Sequence, residues 1–114
     1  MGMTPNGGSS VKMTYTPACG ATTHAAYWGL ADENGIGPGG PAWINSACGL
    51  GTSGTAIFDP GAPPLGKTFY FVIVGQISTV EGSYGRYSSG TERTEAAGLP
   101  VVCDVPQMLL GGCF

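Results

Sequence analysis

Charge is what this chain has least of. Four basic residues, Lys12, Lys67, Arg86 and Arg93, stand against seven acidic ones in 114 residues, for a formal net charge of −3. Such a chain cannot neutralise a phosphate backbone or an anionic bilayer, so nucleic acid and membrane surfaces are excluded as partners. No apolar run approaches the roughly 18 residues of a membrane-spanning helix. The opening Met-Gly-Met-Thr-Pro-Asn-Gly-Gly has neither a basic nor an apolar leader region. The expectation is that any secretion signal has been removed or belongs to a longer parent chain. There is no heptad, no internal repeat and no Cys-x-x-Cys pair, and the single histidine, His24, stands five residues from Cys19. Zinc ligation needs closer pairing, so no metal or other cofactor is expected.

Glycine and proline are abundant, 21 and 9 residues, about a quarter of the chain. The hydrophobic content of 42% argues against disorder, because there is apolar surface to bury. Short β-rich runs between Gly/Pro clusters indicate an all-β domain with many turns. The most informative stretch is Thr68–Gly75, Thr-Phe-Tyr-Phe-Val-Ile-Val-Gly. Six consecutive aromatic or aliphatic residues are too few for a buried helix, and both faces of the strand they make are apolar. It is expected to be the central strand of its sheet, covered on two sides. Other strand signals are Val11–Thr16, where apolar and polar residues alternate until Pro17, then Thr23–Trp28 closed by Gly29, Ala42–Ala47 and Thr55–Phe58. Residues 31–41 and 59–64 read as loop, Arg86–Glu95 as a solvent-washed edge strand, and Gln107–Leu110 as at most one helical turn. The organisation is thus a flexible arm over 1–9, a β-sandwich domain over 10–98, and an apolar tail over 99–114 that packs on the domain.

Four cysteines, Cys19, Cys48, Cys103 and Cys113, form an even set in a small, weakly charged domain. This favours disulfides and an oxidising, extracellular compartment. Three pairings are possible. Cys19–Cys48 with Cys103–Cys113 couples neighbouring segments and staples the tail, contributing roughly 3.5 and about 3 kcal/mol on the chain-entropy model.

Strands separated by turn signals in a chain of this length indicate a sandwich. Met13-Thr14-Tyr15-Thr16-Pro17 resembles the second-strand motif of fibronectin type III domains, with Tyr15 in the Trp position, and Ala26-Tyr27-Trp28 resembles the third strand. Leu65-Gly66-Lys67-Thr68-Phe69-Tyr70, with Val72 and Val74, resembles the sixth. The resemblance covers roughly residues 10–96. It departs from the family in lacking an obvious first strand and in its cysteines. It implies an antiparallel immunoglobulin-like sandwich, Tyr70 as the tyrosine-corner residue, and binding, spacing or assembly without a reaction. It also implies that Tyr70, Val72 and Val74 face the core while Phe69, Phe71 and Ile73 point outward. A stripe of that kind needs a cover, expected from the tail and from a protein partner, so these three form the expected partner interface.

The chemistry-bearing residues carry little. His24 is the only neutral-pH general base, and it is expected to be an ordinary strand residue without an orienting partner. Asp32, Glu33 and Asn34 lack EF-hand spacing. Glu81, Glu92 and Glu95 are not placed across a cleft by anything in the sequence, and Gly35–Gly40 and Gly49–Gly54 lack the ending of a phosphate-binding loop. The expected function is therefore a non-catalytic extracellular assembly module, in its specific form the globular β-rich subunit of a bacterial pilus or filament. The alternative is a carbohydrate-binding module using Tyr27, Trp28, Trp43, Tyr84 and Tyr87 as an aromatic platform.

Overall fold

The computed structural model describes residues 2–5, 7–31, 43–63, 65–66, 68–77, 80–84, 92 and 105–109. These contain seven strands and no helix: β1 (Gly2–Pro5), β2 (Val11–Thr14), β3 (Thr23–Ala31), β4 (Trp43–Ala47), β5 (Thr55–Phe58), β6 (Thr68–Ile77) and β7 (Val80–Glu81). They form two antiparallel sheets, one of three strands in the order β1-β2-β5 and one of four in the order β4-β3-β6-β7. The expected all-β, antiparallel class holds, and β6 lies inside its sheet as its two apolar faces require.

The small sheet follows the alternation of its sequence. In β2, Met13 is buried between exposed Lys12 and Thr14, and its register partner Ala56 is buried between exposed Thr55 and Ile57. Beyond β2 the Tyr15 N–H bonds the Gly54 carbonyl at 2.8 Å. Gly54 sits at φ +83°, and a Cβ there would lie 2.8 Å from the Tyr15 oxygen, so this close approach admits only glycine. Gly2–Pro5, expected within a loose arm, instead pairs with β2 from Gly2↔Thr14 to Pro5↔Val11. All four of its side chains are exposed, so no alternation marks the strand.

The large sheet is built on the pairing of β3 with β6, continuous from Thr23↔Gln76 to Ala31↔Thr68. β3 does not stop at Gly29. The irregularity that glycine introduces, between Trp28 and Gly29, falls only on the side facing β4, while the β6 side stays in register. Residues 24–29 are buried on both faces. On one face, Phe58 of the small sheet stacks on Trp28 (centroids 5.4 Å apart, planes 18° apart) and meets Phe71 at 6.0 Å. Trp28 and Phe71 are register partners with rings 5.9 Å apart. On the other face Ala25, Tyr27 and Val74 pack with Tyr84, flanked by Tyr70 and Val72.

This arrangement reverses the expected sidedness of β6. Phe71 points toward the small sheet and is covered by Phe58 and Trp28, whereas Tyr70, Val72 and Val74 pack beneath Tyr84. The reason is the register. Facing residues of an antiparallel pair share a face, so Phe71 goes where Trp28 goes. The tail differs too. Gln107, expected near a helical turn, forms a parallel bridge to Glu81 at the β7 edge, while Val101, Val102 and Leu110 of the tail lie outside the described residues. The Arg86–Glu95 strand lies outside the described residues apart from Glu92, as do the loop over 32–42 and the tail over 99–104.

Phe71→Asp should destabilise the fold by several kcal/mol, since it sets a carboxylate among the rings that join the sheets. Urea unfolding monitored by Trp fluorescence measures this, and an unchanged midpoint would contradict the packing.

Candidate functional site

Three places in the fold concentrate side chains that could act. The first is a groove between the two sheets where β6 begins. A cavity of about 520 Å³ is lined chiefly by Met3 of β1, Val11 of β2, Pro60 and Pro63 of the β5–β6 loop, and Phe69 and Phe71 of β6. The Phe69 and Phe71 rings meet edge to face at 6.1 Å. The walls are bolted together by Ser9, whose hydroxyl donates to Asp59 Oδ1 at 2.5 Å, while the same oxygen accepts the Gly61 N–H at 2.8 Å. The Ser9 hydroxyl, and then the Gly61 amide, hold the Asp59 carboxyl below its ordinary range. Proline in the loop limits its motion further. Two of the three expected interface residues, Phe69 and Phe71, therefore share this groove. Ile73 does not. It borders a second cavity, of about 500 Å³, beside Tyr15, Ala18 and His24.

His24 is the second place. It is buried, and its ring is held at both nitrogens. The Ala18 N–H donates to Nε2 at 2.9 Å, so that nitrogen is bare; the proton then sits on Nδ1 and is donated to the Gly51 carbonyl at 2.7 Å. The backbone repeats the tie, with Leu50 N–H on the His24 carbonyl at 2.9 Å. The expectation of an unpartnered strand residue is thus corrected: His24 joins the segment before β3 to the segment after β4. Its Nε2 lone pair is already occupied. Cys19 and Cys48 lie in these same two segments. Each is disulfide-bonded, and no cysteine among the described residues is free. Cys103 and Cys113 lie outside the described residues.

Third is a carboxyl whose surroundings the sequence did not reveal. Glu81 is fully buried. Its Oε2 accepts the Tyr27 hydroxyl at 2.6 Å and its Oε1 the Tyr84 hydroxyl at 2.7 Å, while the two rings lie 4.8 Å apart. Burial, then the bonds to Tyr27 and Glu81, push the Tyr84 phenol well above its ordinary range. The backbone of Glu81 holds the tail: its N–H donates to Pro106 O at 2.9 Å and its carbonyl accepts the Met108 N–H at 2.7 Å. Glu92 is likewise occupied, accepting the Ser83 hydroxyl at 2.7 Å and the Tyr84 N–H at 2.8 Å. Glu81 and Glu92 therefore serve the fold as hydrogen-bond acceptors.

The aromatic platform fares poorly. Tyr27, Trp28 and Tyr84 are all buried, at 0%, 3% and 1% exposure, and stacking on sugar needs exposed rings. The side chains of Trp43 and Tyr87, and the Asp32–Asn34 cluster, lie outside the described residues. Among the described residues no group of three or more His, Cys, Asp or Glu side chains could hold a metal ion, and no helix is long and apolar enough to cross a membrane.

Comparison with protein-family models, curated proteins and solved structures finds no match to this chain.

Glu81→Ala should leave two buried phenol hydroxyls without their acceptor, at about 1–3 kcal/mol each. A loss of at least 2 kcal/mol in urea unfolding is the expected outcome; a loss below 0.5 kcal/mol would remove Glu81 from its place as a node.

Proposed function

We propose that the chain is a non-catalytic assembly module of immunoglobulin-like, fibronectin type III-like architecture, working outside the cell by docking apolar side chains of a protein partner into the Phe69–Phe71 groove. In the immunoglobulin constant arrangement the first, second, fifth and fourth strands form one sheet and the third, sixth and seventh the other. The orders β1-β2-β5 and β4-β3-β6-β7 differ from this only in that the fourth strand lies beside the third. The disulfide-bonded state of Cys19 and Cys48 favours an oxidising compartment, and so an extracellular module. The globular subunit of a bacterial filament is the specific form this reading takes.

The observation that carries the reading is the groove itself. Its lining is dominated by large apolar side chains, and its walls are fixed by the Ser9–Asp59 bond before any partner arrives. A preorganised apolar recess loses little freedom on binding, which favours affinity. Its rim is open: Met3, which lines it, is 49% exposed. The chemistry-bearing side chains described above have their donors and acceptors committed to holding the fold, which is what a module without turnover would have. The carbohydrate reading rests on exposed rings, and three of its five aromatics are buried.

Met3→Asp tests the reading at an exposed position that leaves the Trp28–Phe58–Phe71 cluster intact. The variant should keep its melting temperature and raise the concentration needed for association by at least about tenfold, read by sedimentation velocity. A Met3→Asp protein that associates as the wild type does would contradict the groove.

A further inference from the structure

His24 makes several ties, and one of them depends on a bare ring nitrogen. The segment over 16–21 leaves the end of β2 and returns to β3. It is pinned at one end by the Tyr15 N–H on the Gly54 carbonyl and at the other by the Thr22 N–H on the Gln76 carbonyl, both at 2.8 Å. Between these points the Ala21 N–H turns back on Ala18 O at 3.2 Å, within the segment itself. The middle of the segment is joined to the sheet by the Ala18 N–H, which donates to His24 Nε2 at 2.9 Å. An imidazole nitrogen accepts such a bond only while it carries no proton. The neighbouring ties have no such requirement. Nδ1–H donates to Gly51 O at 2.7 Å in the imidazole and in the imidazolium alike. The Leu50 N–H on His24 O, and the Gly51 N–H on Thr23 Oγ1 at 3.0 Å, are made by other atoms.

We propose that His24 is a proton-operated latch: a proton taken up at Nε2 sets two N–H groups against each other and frees the 16–21 segment, while the segment after β4 stays in place. The surroundings of the ring favour release over a replacement bond. His24 is 1% exposed. Tyr15 lies against it with ring centroids 5.0 Å apart, and its phenol, pushed up by burial, is uncharged at neutral pH. The 16–21 and 48–54 segments hold no titratable side chain besides Cys19 and Cys48, which are disulfide-bonded. From β6, Phe71, Ile73 and Gly75 border the cavity beside the ring, and none of them carries charge. Ser83 and Tyr84 border it from beyond β7, and the carboxyls behind them already accept hydrogen bonds. Glu92 takes those of the Ser83 hydroxyl and the Tyr84 N–H, and Glu81 those of the Tyr27 and Tyr84 hydroxyls. An imidazolium here has a backbone amide at one nitrogen and a backbone carbonyl at the other, with no carboxylate at either. A buried charge so placed is relieved by movement toward solvent. Thr16, Pro17, Cys19 and Gly20 are already exposed, so the segment can swing outward without uncovering the core. Its release opens the cavity of about 500 Å³ that Tyr15, Ala18 and His24 line, and the bond at Cys19 keeps the segment attached.

The test is an NMR titration of the full, oxidised chain from pH 8 to pH 5, the range in which imidazoles change charge. The His24 ring resonances report its protonation, and amide exchange, corrected for the intrinsic effect of pH, reports each tie. As the ring takes up its proton, protection at Ala18 should fall by at least about tenfold, while Leu50 and the β3–β6 amides keep theirs. His24→Gln retains an acceptor for the Ala18 N–H and has nothing to protonate in this range, so its Ala18 protection should not change with pH. Unchanged Ala18 protection across protonation of the wild-type ring would overturn the latch. So would a ring that stays neutral until the β3–β6 amides lose protection together, because the event is then global unfolding. A His24→Gln chain whose Ala18 amide opens with pH as the wild type does would assign the response to another group. The wild-type titration decides by itself if that variant fails to fold.

Discussion

The register of β3 on β6 is the constraint on which the remainder of the structure depends. Nine consecutive pairs, from Thr23↔Gln76 to Ala31↔Thr68, decide what each face of the large sheet presents. A slip of one residue would exchange the two faces entirely. In the register observed, Trp28 and Phe71 meet Phe58 and hold the two sheets together. Ala25, Tyr27 and Val74 fall on the other side, where Tyr84 and Glu81 complete a second core. The two ends of the same pairing carry different features. Phe69 reaches the groove at one, and Gln76 places Glu81, and with it the tail, at the other.

Much of this was legible in the residues and some of it was not, for reasons that differ by element. The Thr55–Phe58 signal coincides with β5, and the apolar run of Thr68–Gly75 lies within β6, which continues two residues further. What the run could not reveal was its sidedness. When both faces are apolar, alternation has no sign, and only the partner strand settles which face looks at the other sheet. β1 left no trace because Gly-Met-Thr-Pro buries nothing; it forms by pairing with β2 alone. β3 outran its expected end because the glycine that looked like a stop produces an irregularity on one edge only.

The candidate site was legible in part. Phe69 and Phe71, expected at an interface, line the groove, Phe71 also packs among the rings between the sheets, and Ile73 borders the second cavity. Met3 joins them from more than fifty residues away and Pro60 and Pro63 from the loop just before β6, a meeting that no local pattern announces. The burial of Glu81 was equally invisible. A glutamate after a valine in a polar stretch looks like a solubilising edge residue until the fold brings two tyrosines to its oxygens. His24 was expected to lack an orienting partner, and the two backbone groups that do hold its ring come from loops that carry no local signal of it.

The proposed role of the Phe69–Phe71 groove is to receive a protein partner. Amide hydrogen exchange recorded at low and high protein concentration tests it most directly, because it locates the contact without altering a residue. Slower exchange at high concentration is expected in the groove segments near Met3–Val11 and Asp59–Pro63, with the paired amides of β3 and β6 unchanged. Protection that appears along the β4 or β5 edge with none in the groove segments would contradict it.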